Sequence, residues 1–192
     1  MKKVIFLLLL LVPSITFAYS TSATSAVLMD MDSNVVLYEK NAHNQRSVAS
    51  ISKIMTAIVA IESKDINDVV IVGDEIKKAY GSGVYITQGE EITLESLLYG
   101  LMLRSGNDAA LAIAKYVGGN INDFVKMMNE KAVEIGMKDT VFNNPNGLDE
   151  AGGNLSTAYD MAILTSYAMK NDTYKKIVST KKYTLKTNKN YY

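Results

Sequence analysis

After an uninterrupted apolar run from Val4 to Val12, the chain breaks into short apolar stretches whose spacing changes from strand-like to helical. Ala26 to Met31 and Val35 to Tyr38 flank the turn-forming Asp32-Ser33-Asn34, which predicts a β-hairpin. Glu39 to Ala49 is polar and aperiodic and predicts a loop. Ile51, Ile54, Met55, Ile58 and Val59 then recur at helical intervals, so a helix is expected from about Ser50 to Ser63. Val69 to Val72 is a short β-type run, and Gly81-Ser82-Gly83 breaks the chain before Val84-Tyr85-Ile86.

Four further helices announce themselves by caps as well as by period. Thr93 precedes Leu94, Leu97, Leu98, Leu101 and Met102, with Glu95 placed against the dipole of the first turn. Arg104 to Asn107 interrupts, and an Ala-rich helix from Asp108 to Val117 stops at Gly118-Gly119. Asn120 caps a helix that buries Ile121, Phe124, Val125 and Met128 and ends at Gly136. Asn143-Asn144-Pro145-Asn146-Gly147 is turn chemistry. Thr157 with Asp160 suggests a capping box that opens a helix to about Lys170, and Tyr183 to Thr187 reads as the start of a strand. Strands, then a helical block, then a strand predict an α+β fold, a helical cluster packed against an antiparallel sheet. The strands found are too few to complete that sheet, so the chain is expected to be the N-terminal part of a domain.

Composition narrows the function. The 192 residues carry 20 basic and 20 acidic side chains, so no net field or basic patch favours nucleic acid. The apolar share of 48% is that of a folded domain. Lys2 and Lys3, the run to Val12, the break at Pro13 and the small residues at Ala18 form the pattern of a secretory signal peptide over residues 1–18. That run is too short to span a membrane, which takes about 20 apolar residues. Residues 19–192 are then an exported, extracytoplasmic domain. It contains no cysteine, which excludes disulfides and a lipoprotein anchor.

The candidate chemistry begins at Ser50-Ile51-Ser52-Lys53. A serine hydroxyl needs a base within reach, and helical residues three apart share a face. Lys53 is thus placed beside the Ser50 hydroxyl. Burial or a nearby cation would favour the neutral amine that a base requires. The pattern alone is weak, since Ser179-Thr180-Lys181-Lys182 matches it too. Only Ser50 opens an apolar helix. Ser105-Gly106-Asn107 lies at the next helix break. By itself it is a cap and a flexible joint. Beside Ser50 and Lys53 it offers a hydroxyl to pass a proton to a leaving amine, and an amide to bind a carbonyl or hold Lys53. His43 sits in the polar loop with no partner motif.

With those motifs the chain resembles the serine-type D-alanyl-D-alanine carboxypeptidases, the low-molecular-mass penicillin-binding proteins. The likeness runs from about Ala26 to the end. It includes Ala49 to Thr56, Gly89-Glu90-Glu91, Ser105 to Ala110, Phe142 to Leu148 and Ser156 to Asp160. The resemblance implies a β-lactamase/transpeptidase-like fold and hydrolysis of the terminal D-Ala-D-Ala bond of peptidoglycan stem peptides through an acyl-enzyme. It makes Ser50 the nucleophile, Lys53 the proton acceptor, Ser105 a proton relay and Asn107 a positioning residue. β-Lactam antibiotics would be covalent inhibitors, and no metal or organic cofactor is implied. The family's third motif, a Lys-Thr-Gly strand, does not occur. Lys186-Thr187-Asn188 is not accepted as that motif, because it comes too early and lacks the bare glycine backbone. A weakly active or inactive chain is therefore expected, and membrane association only through a segment beyond it. Two rivals stay open. A class A β-lactamase would need a further glutamate, for which Glu150 is the nearest one to the Asn143–Gly147 turn. A non-catalytic binding or sensor domain would keep the fold alone.

Overall fold

The computed structural model of the chain describes residues 21–149 and 152–190, so the expected signal peptide lies outside the described residues. The predicted hairpin forms. β1 (Ala26–Met29) pairs antiparallel with β2 (Val36–Lys40), and Asp30 closes the turn by accepting from the Ser33 N–H at 2.8 Å and its hydroxyl at 2.6 Å. The polar stretch after it is not all loop. β3 (Arg46–Ser47) pairs with the distant β6 (Leu155–Ser156). Strands of two residues show no alternation, so periodicity has nothing to detect.

The helix expected from Ser50 begins differently. Ala49–Ser52 winds as a 3-10 turn, and α1 proper is Lys53–Ser63. The tighter turn shifts the phase of the stripe, which leaves Ile51 53% exposed while Met55, Ile58 and Val59 are buried. β4 (Val69–Ile71) pairs with β5 (Glu91–Thr93), and a second 3-10 turn, Asp74–Lys78, lies between them. The caps behave as read. The Thr93 hydroxyl accepts from the Ser96 N–H at the start of α2 (Leu94–Arg104). α3 (Asn107–Gly118) ends on left-handed Gly119. Asn120 caps α4 (Ile121–Ile135), which ends at Gly136.

Thr157 caps α5 (Ala158–Ala168), but the capping box is only half made. The Asp160 carboxylate accepts from the Asp139 N–H and the Thr140 hydroxyl instead of reaching back. α6 (Asp172–Ser179) went unread, because only Tyr174 and Ile177 of its eight residues are buried. No strand covers Tyr183 to Thr187 among the described residues. Tyr183 instead stacks on Tyr99 at 3.7 Å, and Leu185 is buried.

α3 is the axle of the molecule. Ala109, Ala110, Ala112, Ile113 and Ala114 are buried, and their small size lets α1, α2 and α4 approach closely. The hairpin lies on α5. The α+β layout holds, with the described strands as three two-stranded antiparallel sheets rather than one. Among the described residues no helix is long and apolar enough to cross a membrane.

Candidate active site

Ser50 and Lys53 meet. The Lys53 Nζ lies 3.3 Å from the Ser50 Oγ. The hydroxyl faces solvent, whereas Lys53 is only 2% exposed. Burial depresses the ammonium from 10.5 to about 8, and no cationic neighbour contributes. Ser50 stands in the 3-10 turn just before α1, behind an Ala49 held at φ +42°. The Ser52 hydroxyl donates to the Ala49 carbonyl at 2.8 Å and tightens that turn.

The lysine's other partner was not foreseen. Its Nζ donates to the Asn146 carbonyl at 2.5 Å, and the Thr56 hydroxyl, one turn on, donates to the Pro145 carbonyl at 2.6 Å. The Asn143–Gly147 run is therefore a wall of the site as well as a turn. Side-chain amides stiffen it. Asn154 Oδ1 accepts from the N–H groups of Asn143 and Asn144, and its Nδ2 donates to the Asn144 carbonyl. Asn144 Oδ1 accepts from the Gly147 N–H at 2.6 Å. Gly147 itself, at φ +80°, lies so near Ala49 that a Cβ there would overlap the Ala49 carbonyl and crowd the Ser50 nitrogen.

The second motif sits at the junction of α2 and α3. Ser105 is the left-handed C-cap of α2, at φ +54°. Asn107 is 4% exposed and opens α3. No hydrogen bond joins Ser105 or Asn107 to Ser50 or Lys53 among the described residues. Lys53 is held by the Asn146 carbonyl, and no hydrogen bond reaches it from Asn107 among the described residues. Asn107 instead holds a loop. Its Nδ2 donates to the Tyr80 carbonyl at 2.6 Å and its N–H to the Ser82 carbonyl at 2.8 Å. Its Oδ1 is buried without a hydrogen-bond partner.

Asp108, next to Asn107 in α3, is a structural residue of the same joint. Its buried carboxylate accepts from the N–H groups of Val84, Tyr85, Ile86 and Ala109. Gly106 lets Val84 wedge against the joint, since a Cβ there would meet the Val84 Cγ2 at 2.8 Å. The role of Asp108 is not visible in sequence, because its partners are backbone groups of any identity. His43 packs at a tilt against Tyr159, and the Ser179 hydroxyl only caps α6 through the Lys176 carbonyl. A cavity of about 450 Å³ between β1 and α5 is lined by neither Ser50 nor Lys53, so volume does not mark this site. No cluster of His, Asp or Glu suited to a metal occurs among the described residues.

Comparisons with known proteins converge. A family model described as D-alanyl-D-alanine carboxypeptidase, peptidase S11, matches residues 13–192. The D-alanyl-D-alanine carboxypeptidase DacF of Bacillus subtilis is 37% identical over 94% of this chain and 51% of its own length. A D-alanyl-D-alanine carboxypeptidase of Streptomyces sp. K15 is 36% identical over 86% of this chain and 61% of its own. Among solved structures, a D-alanyl-D-alanine carboxypeptidase of Mycobacterium tuberculosis superposes with TM-score 0.86 at 30% identity, covering 91% of this chain and 69% of that one. Penicillin binding protein 6B of Escherichia coli superposes with TM-score 0.84 at 33% identity, covering 94% and 60%. The chain thus spans about half the length of the curated relatives it matches.

Proposed function

Because the chain belongs to the D-alanyl-D-alanine carboxypeptidase family, peptidase S11, we propose that it removes the terminal D-alanine from peptidoglycan stem peptides through an acyl-enzyme on Ser50. The observation that carries this reading is an exposed hydroxyl 3.3 Å from an amine that is only 2% exposed.

Lys53 takes the Ser50 proton as the oxygen bonds to the carbonyl carbon between the two D-alanines. Collapse of the tetrahedral intermediate breaks the C–N bond. The departing amine takes a proton by way of Ser105, and terminal D-alanine leaves. Water then attacks the ester, and Ser50 recovers its proton. Asn107 orients the substrate from the start of α3. Asn146 and Asn154 act through Lys53 and its wall. A β-lactam acylates Ser50 by the same attack. The substrate lies outside the cytoplasm, so this reading requires export, for which Met1 to Ala18 is the proposed signal. No step calls for a metal or organic cofactor.

A fluorescent penicillin tests the nucleophile. Covalent label is expected on the parent chain and none on Ser50→Ala. Equal labelling of both would refute the assignment, and no label on either would leave the non-catalytic binding domain. Assaying D-alanine release beside penicillin turnover separates the lactamase reading, which requires fast turnover and no D-alanine. Glu150, the carboxylate that reading needs, lies outside the described residues.

A further inference from the structure

Tyr85 is the one exposed aromatic whose backbone is held at positive φ among the described residues, at φ +68° and 69% exposed. A tyrosine in that region is strained where glycine or asparagine would sit freely. Nothing in the fold repays the ring: among the described residues its side chain makes no hydrogen bond and no ring contact. The backbone, by contrast, is locked. Its N–H donates to Asp108 Oδ2 at 2.6 Å, between the N–H groups of Val84 and Ile86 bound to the same carboxylate. The neighbouring residue, Asn107, fastens the other end of the loop through the Tyr80 and Ser82 carbonyls. Strain held in place by a buried carboxylate, with an unused ring as its only product, is the mark of a binding residue rather than a packing one.

The surroundings say what the ring would meet. Tyr85 lines a pocket of about 160 Å³ with Tyr80, Gly81, Ser82, Gly83 and Asp108, and with the aliphatic Ile76, Ala79 and Ile86. Tyr80 is 52% exposed. Among these lining residues Asp108 carries the one acidic side chain, and four backbone N–H groups already occupy its carboxylate. The pocket therefore offers phenol rings, aliphatic side chains, a hydroxyl and bare glycine backbone, with its one acidic side chain already occupied. That suits an uncharged polyhydroxylated ring, whose C–H face stacks on tyrosine, better than a peptide segment rich in carboxylates.

We propose that Tyr85 is a substrate-contacting residue that stacks against a sugar of the peptidoglycan glycan, away from the scissile bond, with Asp108 as its positioning residue. The proposal rests on the peptidoglycan reading above. Its test uses the chain carrying Ser50→Ala, which binds without turnover, and calorimetry with two ligands, a disaccharide-pentapeptide and the same pentapeptide without sugars. The sugars are expected to tighten binding about tenfold. Tyr85→Ala and Tyr85→Gly should erase that difference and leave the sugar-free peptide unchanged, while Tyr85→Phe keeps it. Tyr85→Gly should melt no lower than the parent, which sets binding loss apart from misfolding. Equal affinity of the two ligands for the parent, equal loss on both, or no binding of either overturns the proposal. Failure of the nucleophile assignment is distinct: Ser50 would go unlabelled by penicillin while the sugar-dependent difference survived.

Discussion

Lys53 titrates in a place that water does not reach, and the consequences can be worked out from that alone. Its amine falls from 10.5 to about 8 on burial. At pH 7 about one molecule in ten then holds the neutral amine, against well under one in a thousand for an exposed lysine. Acylation of Ser50 by labelled penicillin is expected to rise about tenfold per pH unit below pH 8 and to level above it. A flat profile from pH 6 to 9 would remove Lys53 as the base. Stability carries the opposite mark of the same burial. Between about 8 and 10.5 the unfolded chain binds more protons than the folded one, so stability climbs with pH across that window. Below it the burial cost, about 3 kcal/mol, is fully present. Lys53→Met should abolish labelling yet gain stability relative to the parent at pH 7, by an amount that shrinks as denaturation is repeated toward pH 10.5. A pH-independent difference would show that the amine is not desolvated.

At the scale of elements, two short connections set the site. The Asn143–Gly147 wall meets the Ser50 turn at Gly147, where positive φ and contact with Ala49 leave no room for a side chain. Gly147→Ala is expected to cost at least about 2 kcal/mol in chemical denaturation and to slow labelling by moving Ser50. A variant with parent stability and rate would mean that the wall yields freely. The Tyr80–Ile86 loop depends on Asp108. Asp108→Ala strips the acceptor from several buried N–H groups and should cost about 2–4 kcal/mol, whereas Asp108→Asn, which keeps one acceptor oxygen, should cost less. Equal costs would assign the effect to charge rather than to acceptor geometry. Helices α2 to α5 were legible because each pairs an apolar period with a cap, as Thr93, Asn120 and Thr157 do. β3, β6 and α6 were not. Two-residue strands have no period, and α6 buries too few positions to make a stripe.

Across the whole molecule, the packing of α1, α2 and α4 on α3 is what brings the two motifs into one framework. Residues 1–192 contain no Lys-Thr-Gly. If such a strand supplies an oxyanion donor, these residues alone should label about 10²–10³-fold more slowly than a complete serine D,D-peptidase assayed beside them. A matching rate would show that the cleft needs no further strand.

The sequence by itself determined the α+β class, a serine and an amine one turn apart, and the existence of helices α1 to α5, because those follow from spacing within a few residues. Only the tertiary structure decided what surrounds the amine. Asn146 reaches Lys53 across 93 positions, and Asp108 gathers a loop 22 to 24 positions away. Both contacts engage backbone groups that every residue possesses, and a linear pattern carries no trace of them until the chain folds.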